Sequence, residues 1–377
     1  LDSCKELGQK VNNYIVQFRK DTRKESLDSP LFCNYQSDNY LISCRCPRFG
    51  SGEAKGLLDE TIRGKDLFIM VDVCNHSLTY KVSGHVNHMS PDDHYQDLKR
   101  IISAANGKAH RLNVIMPFLY ESRQHKRTKR ESLDCALALQ ELADMGVSNI
   151  ITFDAHDPRV QNAIPLKGFE TVQPIYQFIK YLLKNEKELE IDNEHMMVIS
   201  PDEGGMRRAV YFANVLGLDM GMFYKRRNLS KVVDGTNPIE SHEYIGSSLN
   251  GKDVIVVDDM ISSGSSMIDT FRVLKEKGAR RIFAFITFGL FCNGLDGFDR
   301  AYEEGLFDRV FVTNLIYRTP ELLSRPWVVD VDLSKYTAYL IDAIHHDASV
   351  GAIIDPNQKI ISLLHGLEAE RRTVSPM

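Results

Sequence analysis

The chain has 377 residues, 43% of them apolar, and a formal net charge of −5. That length suits two domains, and the mild acidity excludes the broad basic surface that grips nucleic acid or an anionic membrane. The longest apolar runs, such as Leu67–Val71 and Val254–Val257, are far too short to span a bilayer. The polar start LDSCKELGQK lacks the apolar core of a signal peptide, and a start at Leu rather than Met implies that something ahead of it was removed. Seven cysteines are scattered, and Cys44 and Cys46 have no second close pair to complete a zinc site. A reduced, cytoplasmic protein is expected.

In chain order, the first strong element is RGKDLFIMVD (63–72): a Gly-Lys-Asp turn, an apolar strand, then Asp72. NHSLTYKVSGHVNHMSP (75–91) reads as a polar surface loop, with His76, His85 and His88 too loosely arranged for a metal. DLKRIISAAN gives a helix with Leu98, Ile101 and Ile102 on one face. Two further strands follow in KAHRLNVIMPF (108–118) and MGVSNIITFDAH (145–156). Beyond a junction near residue 172 the series repeats as NGKDVIVVDD (250–259), GARRIFAFITF (278–288) and GLFDRVFVTNLI (305–316). Three echoes in one order imply a β-α-β-α-β unit used twice. In the second copy Met267, Phe271 and Leu274 recur at helical spacing, and Gly278 supplies the stop. DLSKYTAYLIDAIHH forms a final helix. Continuous apolar strands alternating with helices predict an α/β fold with two tandem domains, each a mainly parallel sheet flanked by helices. The expected domains are 1–172, joined by the tail 341–377, and 173–340.

The stretch DVIVVDDMISSGSSMIDT (253–270) concentrates the chemistry. A buried strand ends in Asp258 and Asp259, and a turn of Ser262, Ser263, Gly264, Ser265 and Ser266 opens a helix. Ligands of open α/β sheets collect at the carboxyl ends of strands. Backbone N–H groups of such a turn suit a phosphate. The paired acids suit sugar hydroxyls or a metal, so a phosphorylated sugar satisfies both halves.

VVDDMISSGSS resembles the phosphoribosyl-diphosphate motif shared by type I phosphoribosyltransferases and ribose-phosphate pyrophosphokinases. Other segments resemble the second family in its own order: RFGSGEAKGLLDETIRGKDLFIM (48–70), VIMPFLYESRQHKR (114–127), FDAHDPRVQ (153–161), VISPDEGGMRRA (198–209), YKRRN (224–228) and LIDAIHHDASV. The resemblance spans roughly residues 48–354 and implies two phosphoribosyltransferase-like domains. It implies diphosphoryl transfer from ATP to the 1-hydroxyl of ribose 5-phosphate, giving 5-phosphoribosyl 1-diphosphate and AMP. Such chemistry is largely positioning and charge neutralisation. By the same resemblance Lys225 and Arg227 are catalytic. Residues 258, 259 and 262–266 hold the ribose phosphate. Phe49, Ser51, Glu53, Arg123, Gln124 and His125 hold ATP, with Phe49 stacking on the base. His156 and Asp202 hold Mg2+, although an imidazole is an uncommon ligand for that hard cation. The family habit implies a homo-oligomer, hexamer or dimer.

The chain departs from the family pattern at three places, where a carboxylate gives way to Ser51, His125 and Ser262. Each loss falls beside polyphosphate or metal and is expected to alter nucleotide or metal preference. Two other readings stand beside the synthetase: a transferase consuming the diphosphate, and a non-catalytic regulatory paralogue.

Overall fold

The computed structural model describes residues 1–21, 37–105, 107–186, 188–227 and 239–374. Backbone contacts divide the chain into two units: 1–174 with 314–317 and 332–355, and 175–313 with 318–331 and 356–377. The sequence reading assigns all of 341–377 to the first unit. Here 356–377 go with the second, where the last helix packs on two others.

The first unit begins with α1 (Lys5–Asp21) and a short antiparallel pair, β1 (Cys44–Arg45) and β2 (Leu57–Leu58). Then come β3 (Asp66–Met70), a hairpin of β4 (Thr79–Val82) and β5 (His85–His88), α2 (Pro91–Ala105) and β6 (Arg111–Ile115). α3 (Asp134–Asp144), β7 (Asn149–Phe153) and β8 (Gly168–Val172) complete it. Its sheet runs β3-β6-β7-β8, all parallel. The helical periodicity of DLKRIISAAN is realised in α2, whose Leu98, Ile101 and Ile102 are buried. The 75–91 segment is not a plain loop. Ser83 and Gly84 both take positive φ (49° and 85°), the pairing of a type I′ turn that matches strand twist, so the segment closes as a hairpin.

The second unit runs α4 (Ile175–Asn185), β9 (Met196–Ser200), α5 (Met206–Leu216), β10 (Met220–Arg227), β11 (Ile239–Ile245) and β12 (Asp253–Ile261). It continues with α6 (Ser265–Glu276), β13 (Ile282–Gly289), α7 (Asp296–Glu303), β14 (Arg309–Thr313), α8 (Pro320–Leu323) and β15 (Val328–Val331). α9 (Ser334–His345) and α10 (Gly351–Ile354) return to the first unit, and α11 (Asn357–Val374) packs on α4 and α5 of the second. The sheet order is β11-β10-β9-β12-β13-β14-β15, parallel except for β11. The order β12-β13-β14-β15 repeats β3-β6-β7-β8, so the three sequence echoes fall on corresponding strands.

Strands β12 and β13 are covered on both faces, which is why they are apolar without alternation. Met267, Phe271 and Leu274 of α6 seal one face together with Phe298, Phe307 and Trp327. Truncating a fully buried aromatic such as Phe271 to Ala costs about 3–5 kcal/mol. That rigid slab fixes where β12 ends.

Candidate active site

At the carboxyl edge of the second sheet, β9 and β12 run side by side with Ile199 opposite Val256. On the other side of β9, Met222 of β10 lies opposite Ser200. Asp258 and Lys225 therefore both lie beyond the point where β9 stops, at one end of the sheet. Lys225 pairs in backbone register with His242 of β11, and Arg227 with Ile239. The side chains of Lys225 and Arg227 lie outside the described residues.

The two acids differ. Asp259 is buried, whereas the Asp258 side chain keeps 20% of its surface exposed, and its Oδ1 accepts the Asp259 backbone N–H at 2.9 Å. Burial pushes the Asp258 carboxyl well above the usual range, neighbouring Asp259 and Asp202 add to this, and Arg208 opposes it. The Arg208 guanidinium is 3.6 Å from Asp258 and 3.9 Å from Asp259. The sequence reading missed this cation. The signal was helical phase: in GGMRRA, the buried stripe Arg208, Ala209, Phe212 of α5, in phase with its buried cap Gly205, turns Arg208 inward, while Arg207 is exposed.

After β12 the turn exposes Ser263, Ser265 and Ser266, while Gly264 is buried. Gly264 has φ 86°, and a Cβ there would stand 2.3 Å from the Phe298 ring, so only glycine fits. It caps α6, and its carbonyl accepts from the N–H groups of Met267 and Ile268. The N–H groups of the first turn of this 12-residue helix, with the three exposed hydroxyls, form an anion-favouring end. Ser262 lies 3.8 Å from the Cys292 sulfur. Asp202, after β9, accepts the Gly205 N–H at 3.1 Å, and its carbonyl accepts from Ser200. A Cβ on Gly205 would meet the Ser200 hydroxyl at 2.8 Å.

The residues assigned to ATP, with His156, belong to the first unit and fall into two groups. Around Phe49 a tight turn is closed by Phe49 N–H to the Glu53 carbonyl (2.7 Å) and Gly52 N–H to the Phe49 carbonyl (2.9 Å). Ser51 donates to Glu53 at 2.9 Å, and Phe49 projects outward, 54% exposed. The hairpin tip supports this turn, since Ser83 N–H donates to the Gly50 carbonyl. Arg48 is held by Asp97 at 2.8 Å and lies over Tyr80 of the hairpin. In the second group Arg123 is exposed, and Gln124 is occupied with the Lys126 and Ser132 carbonyls. His125 stands near His156, with ring centres 5.4 Å apart, and its Nε2 lies 3.6 Å from Asp157. Burial and then His156 push the His125 pKa down, with Asp157 opposing. Asp157 is held at about 2, chiefly by Arg159. Asp154, two residues before His156, takes φ 39° despite its side chain, the backbone strain that gathers at functional loops. His156 belongs to the first unit and Asp202 to the second. Among the described residues, Glu190, Asp192 and His195 are the one trio whose metal-ligating atoms all lie within 4.8 Å. That trio is on the surface just before β9, at the opposite end of that strand from Asp202.

Comparison with known proteins yields three matches, the last two overlapping. The N-terminal domain of ribose phosphate pyrophosphokinase matches residues 1–146, a phosphoribosyl transferase domain 167–293, and a phosphoribosyl synthetase-associated domain 238–355. A ribose-phosphate pyrophosphokinase of Vibrio parahaemolyticus is 29% identical over 315 residues, covering 82% of this chain and 90% of the relative. Ribose-phosphate pyrophosphokinase B of Dictyostelium discoideum is 25% identical over 327 residues, covering 85% and 92%. In fold, the crystal structure of phosphoribosylpyrophosphate synthetase from Mycobacterium smegmatis superposes with a TM-score of 0.67 at 22% identity, covering 82% of this chain and 93% of that one.

Proposed function

Because this chain belongs to the ribose-phosphate pyrophosphokinase family, we propose that it transfers the diphosphoryl group of ATP to the 1-hydroxyl of ribose 5-phosphate, releasing AMP. One observation carries the reading: the acid-tipped end of β12, its serine turn and the Lys225 segment share one edge of one sheet. A 5-phosphate fits the first turn of α6 and the hydroxyls of Ser263, Ser265 and Ser266. Asp258 and Asp259 then accept hydrogen bonds from the ribose hydroxyls, with Arg208 keeping the pair from carrying two uncompensated charges. Lys225 and Arg227 neutralise charge on the transferring phosphates. Phe49 offers an exposed ring for the adenine, and Arg123 an exposed guanidinium for the phosphates.

Mg2+ would enter with ATP. The Asp202 carboxylate is the kind of hard oxygen donor it prefers, and bound there it supplies charge neutralisation on phosphate oxygens. The reading further takes the protein to be a cytoplasmic homo-oligomer. Among the described residues no helix is long and apolar enough to cross a membrane.

The test is direct. Purified protein with ribose 5-phosphate, ATP and Mg2+ should release AMP and form an acid-labile ribosyl diphosphate in equal amounts. No AMP above the level of a Lys225→Ala, Arg227→Ala double variant would remove the synthetase reading. Solution mass at working concentration tests the assembly.

A further inference from the structure

A two-stranded hairpin alone is marginally stable in water, and that of β4 and β5 buries little of itself. β5 is exposed throughout, while along β4 exposed Thr79 and Lys81 alternate with half-buried Tyr80 and Val82. Three contacts join the hairpin to the Phe49 turn. Ser83 N–H donates to the Gly50 carbonyl at 2.8 Å. Gly52 takes φ 93°, and a Cβ there would stand 2.8 Å from a Val82 methyl and 3.7 Å from the Tyr80 ring, so β4 packs directly on the turn. The Arg48 guanidinium, one residue before Phe49, stands 4.6 Å from the Tyr80 ring centre, within cation–π range.

Arg48 is anchored from two sides. Asp97 of α2, itself held by Arg100 at 2.6 Å, takes the guanidinium at 2.8 Å. Tyr80 takes its face, and the Tyr80 hydroxyl donates to Asp93 at 3.0 Å. Asp93 also closes the start of α2: its carboxylate accepts the Ser90 N–H at 2.9 Å, and the Ser90 hydroxyl accepts the Asp93 N–H at 3.2 Å. A capped helix thus fixes Tyr80, Tyr80 fixes Arg48, and Arg48 fixes the backbone that carries the exposed Phe49 ring. A ring held in place before its ligand arrives binds more tightly, because less ordering remains to be done.

We infer that the hairpin is a positioning element for the nucleotide, and that Tyr80, acting through Arg48, is the positioning residue that holds the Phe49 turn ready for adenine. The inference rests on the reading of Phe49 as the adenine contact. Its effect is specific to the nucleotide, since the residues assigned to ribose phosphate, 258, 259 and 262–266, all belong to the second unit.

The experiment compares steady-state AMP release and amide hydrogen exchange in the full-length protein, Tyr80→Leu, Tyr80→Phe, and a variant in which Gly-Gly replaces residues 79–88. That excision leaves the flanks in place, because Met89 N–H already bonds the Leu78 carbonyl at 2.8 Å. Tyr80→Leu keeps bulk but loses the ring face, and should raise KM for ATP roughly three- to tenfold. Its kcat and its KM for ribose 5-phosphate should stay within about twofold of wild type. Tyr80→Phe keeps the ring and should restore KM for ATP, and the excised variant should match or exceed Tyr80→Leu. Exchange of the Phe49 and Gly52 N–H groups, which close the turn, should quicken about tenfold in both impaired variants. Wild-type exchange and wild-type KM for ATP in the excised variant would overturn the inference. So would equal rises in KM for both substrates, the mark of a general loss of structure. Phe49→Ala separates the two readings. Wild-type KM for ATP there would remove Phe49 from the adenine site and the inference with it, whereas a raised KM there beside a wild-type value in the excised variant would remove the role of the hairpin alone.

Discussion

The two sheets repeat one strand order, yet the acids that tip their first repeated strands meet opposite fates. Asp72, after β3, is 1% exposed, and its oxygens accept the N–H groups of Cys74 (2.8 Å) and Tyr317 (2.6 Å). Its carboxylate works as an internal cap. Asp258 and Asp259, after β12, face a guanidinium at 3.6–3.9 Å, too far for strong hydrogen bonds, beside a turn of exposed hydroxyls. The same strand-then-Asp sequence thus closes a loop in one unit and, in the other, stands beside a turn of exposed hydroxyls where the proposed reading puts the sugar phosphate. What differs is the next few residues: a turn that folds back onto the carboxylate, or a glycine that starts a helix.

The sharpest break in that comparison comes from Lys225→Ala, which should lower kcat for AMP release by about 10²–10³ or more, as expected when a transition-state cation is removed. A stopped assay with ribose 5-phosphate and ATP measures it. On the structural side, Asp72→Asn should cost about 1–3 kcal/mol, because its amide cannot accept both N–H groups without presenting a buried donor. Urea unfolding measures that, and AMP release per folded molecule should not change. Gly264→Ala should cost a similar 1–3 kcal/mol in backbone strain alone, and it should raise KM for ribose 5-phosphate more than it lowers kcat.

A smaller effect separates the edges by pH. Asp258 is already pushed up by burial, and Arg208 is the cation that opposes the shift. Arg208→Met should raise it further and move the acid limb of ribose 5-phosphate binding to higher pH. The sign for stability is opposite to the usual acid. A carboxyl with a raised folded pKa binds its proton more tightly folded than unfolded, so it costs stability as pH rises above the unfolded value of about 3.9. Asp258→Asn should therefore be more stable than wild type at neutral pH. The least effect belongs to Arg159→Ala. Asp157 should climb from about 2 toward its ordinary value in a carboxyl NMR titration. The stability it contributes is present above about pH 3.9 and is lost as pH falls toward the folded value.

The sequence made the strands and the Asp-Asp-turn motif legible because strand burial and turn chemistry are local. Val254–Val257 cannot be anything but a covered strand, and Gly264 next to serines announces a helix start. Arg208 was hidden because two adjacent arginines look alike until helical phase assigns one to the interior. The hairpin at 79–88 was hidden behind polar residues, although Ser83-Gly84 carried the turn signal. His125 was legible only as a departure. Its partnership with Asp157 depends on two loops that meet after folding, and no spacing along the chain records that.

The central claim is that the β12 edge, not its counterpart at β3, receives the ribose phosphate. Calorimetric titration of ribose 5-phosphate into Asp258→Asn and Asp72→Asn, each checked for folding, tests it most directly. Binding should vanish in the first and persist in the second. Wild-type affinity in Asp258→Asn would contradict the account.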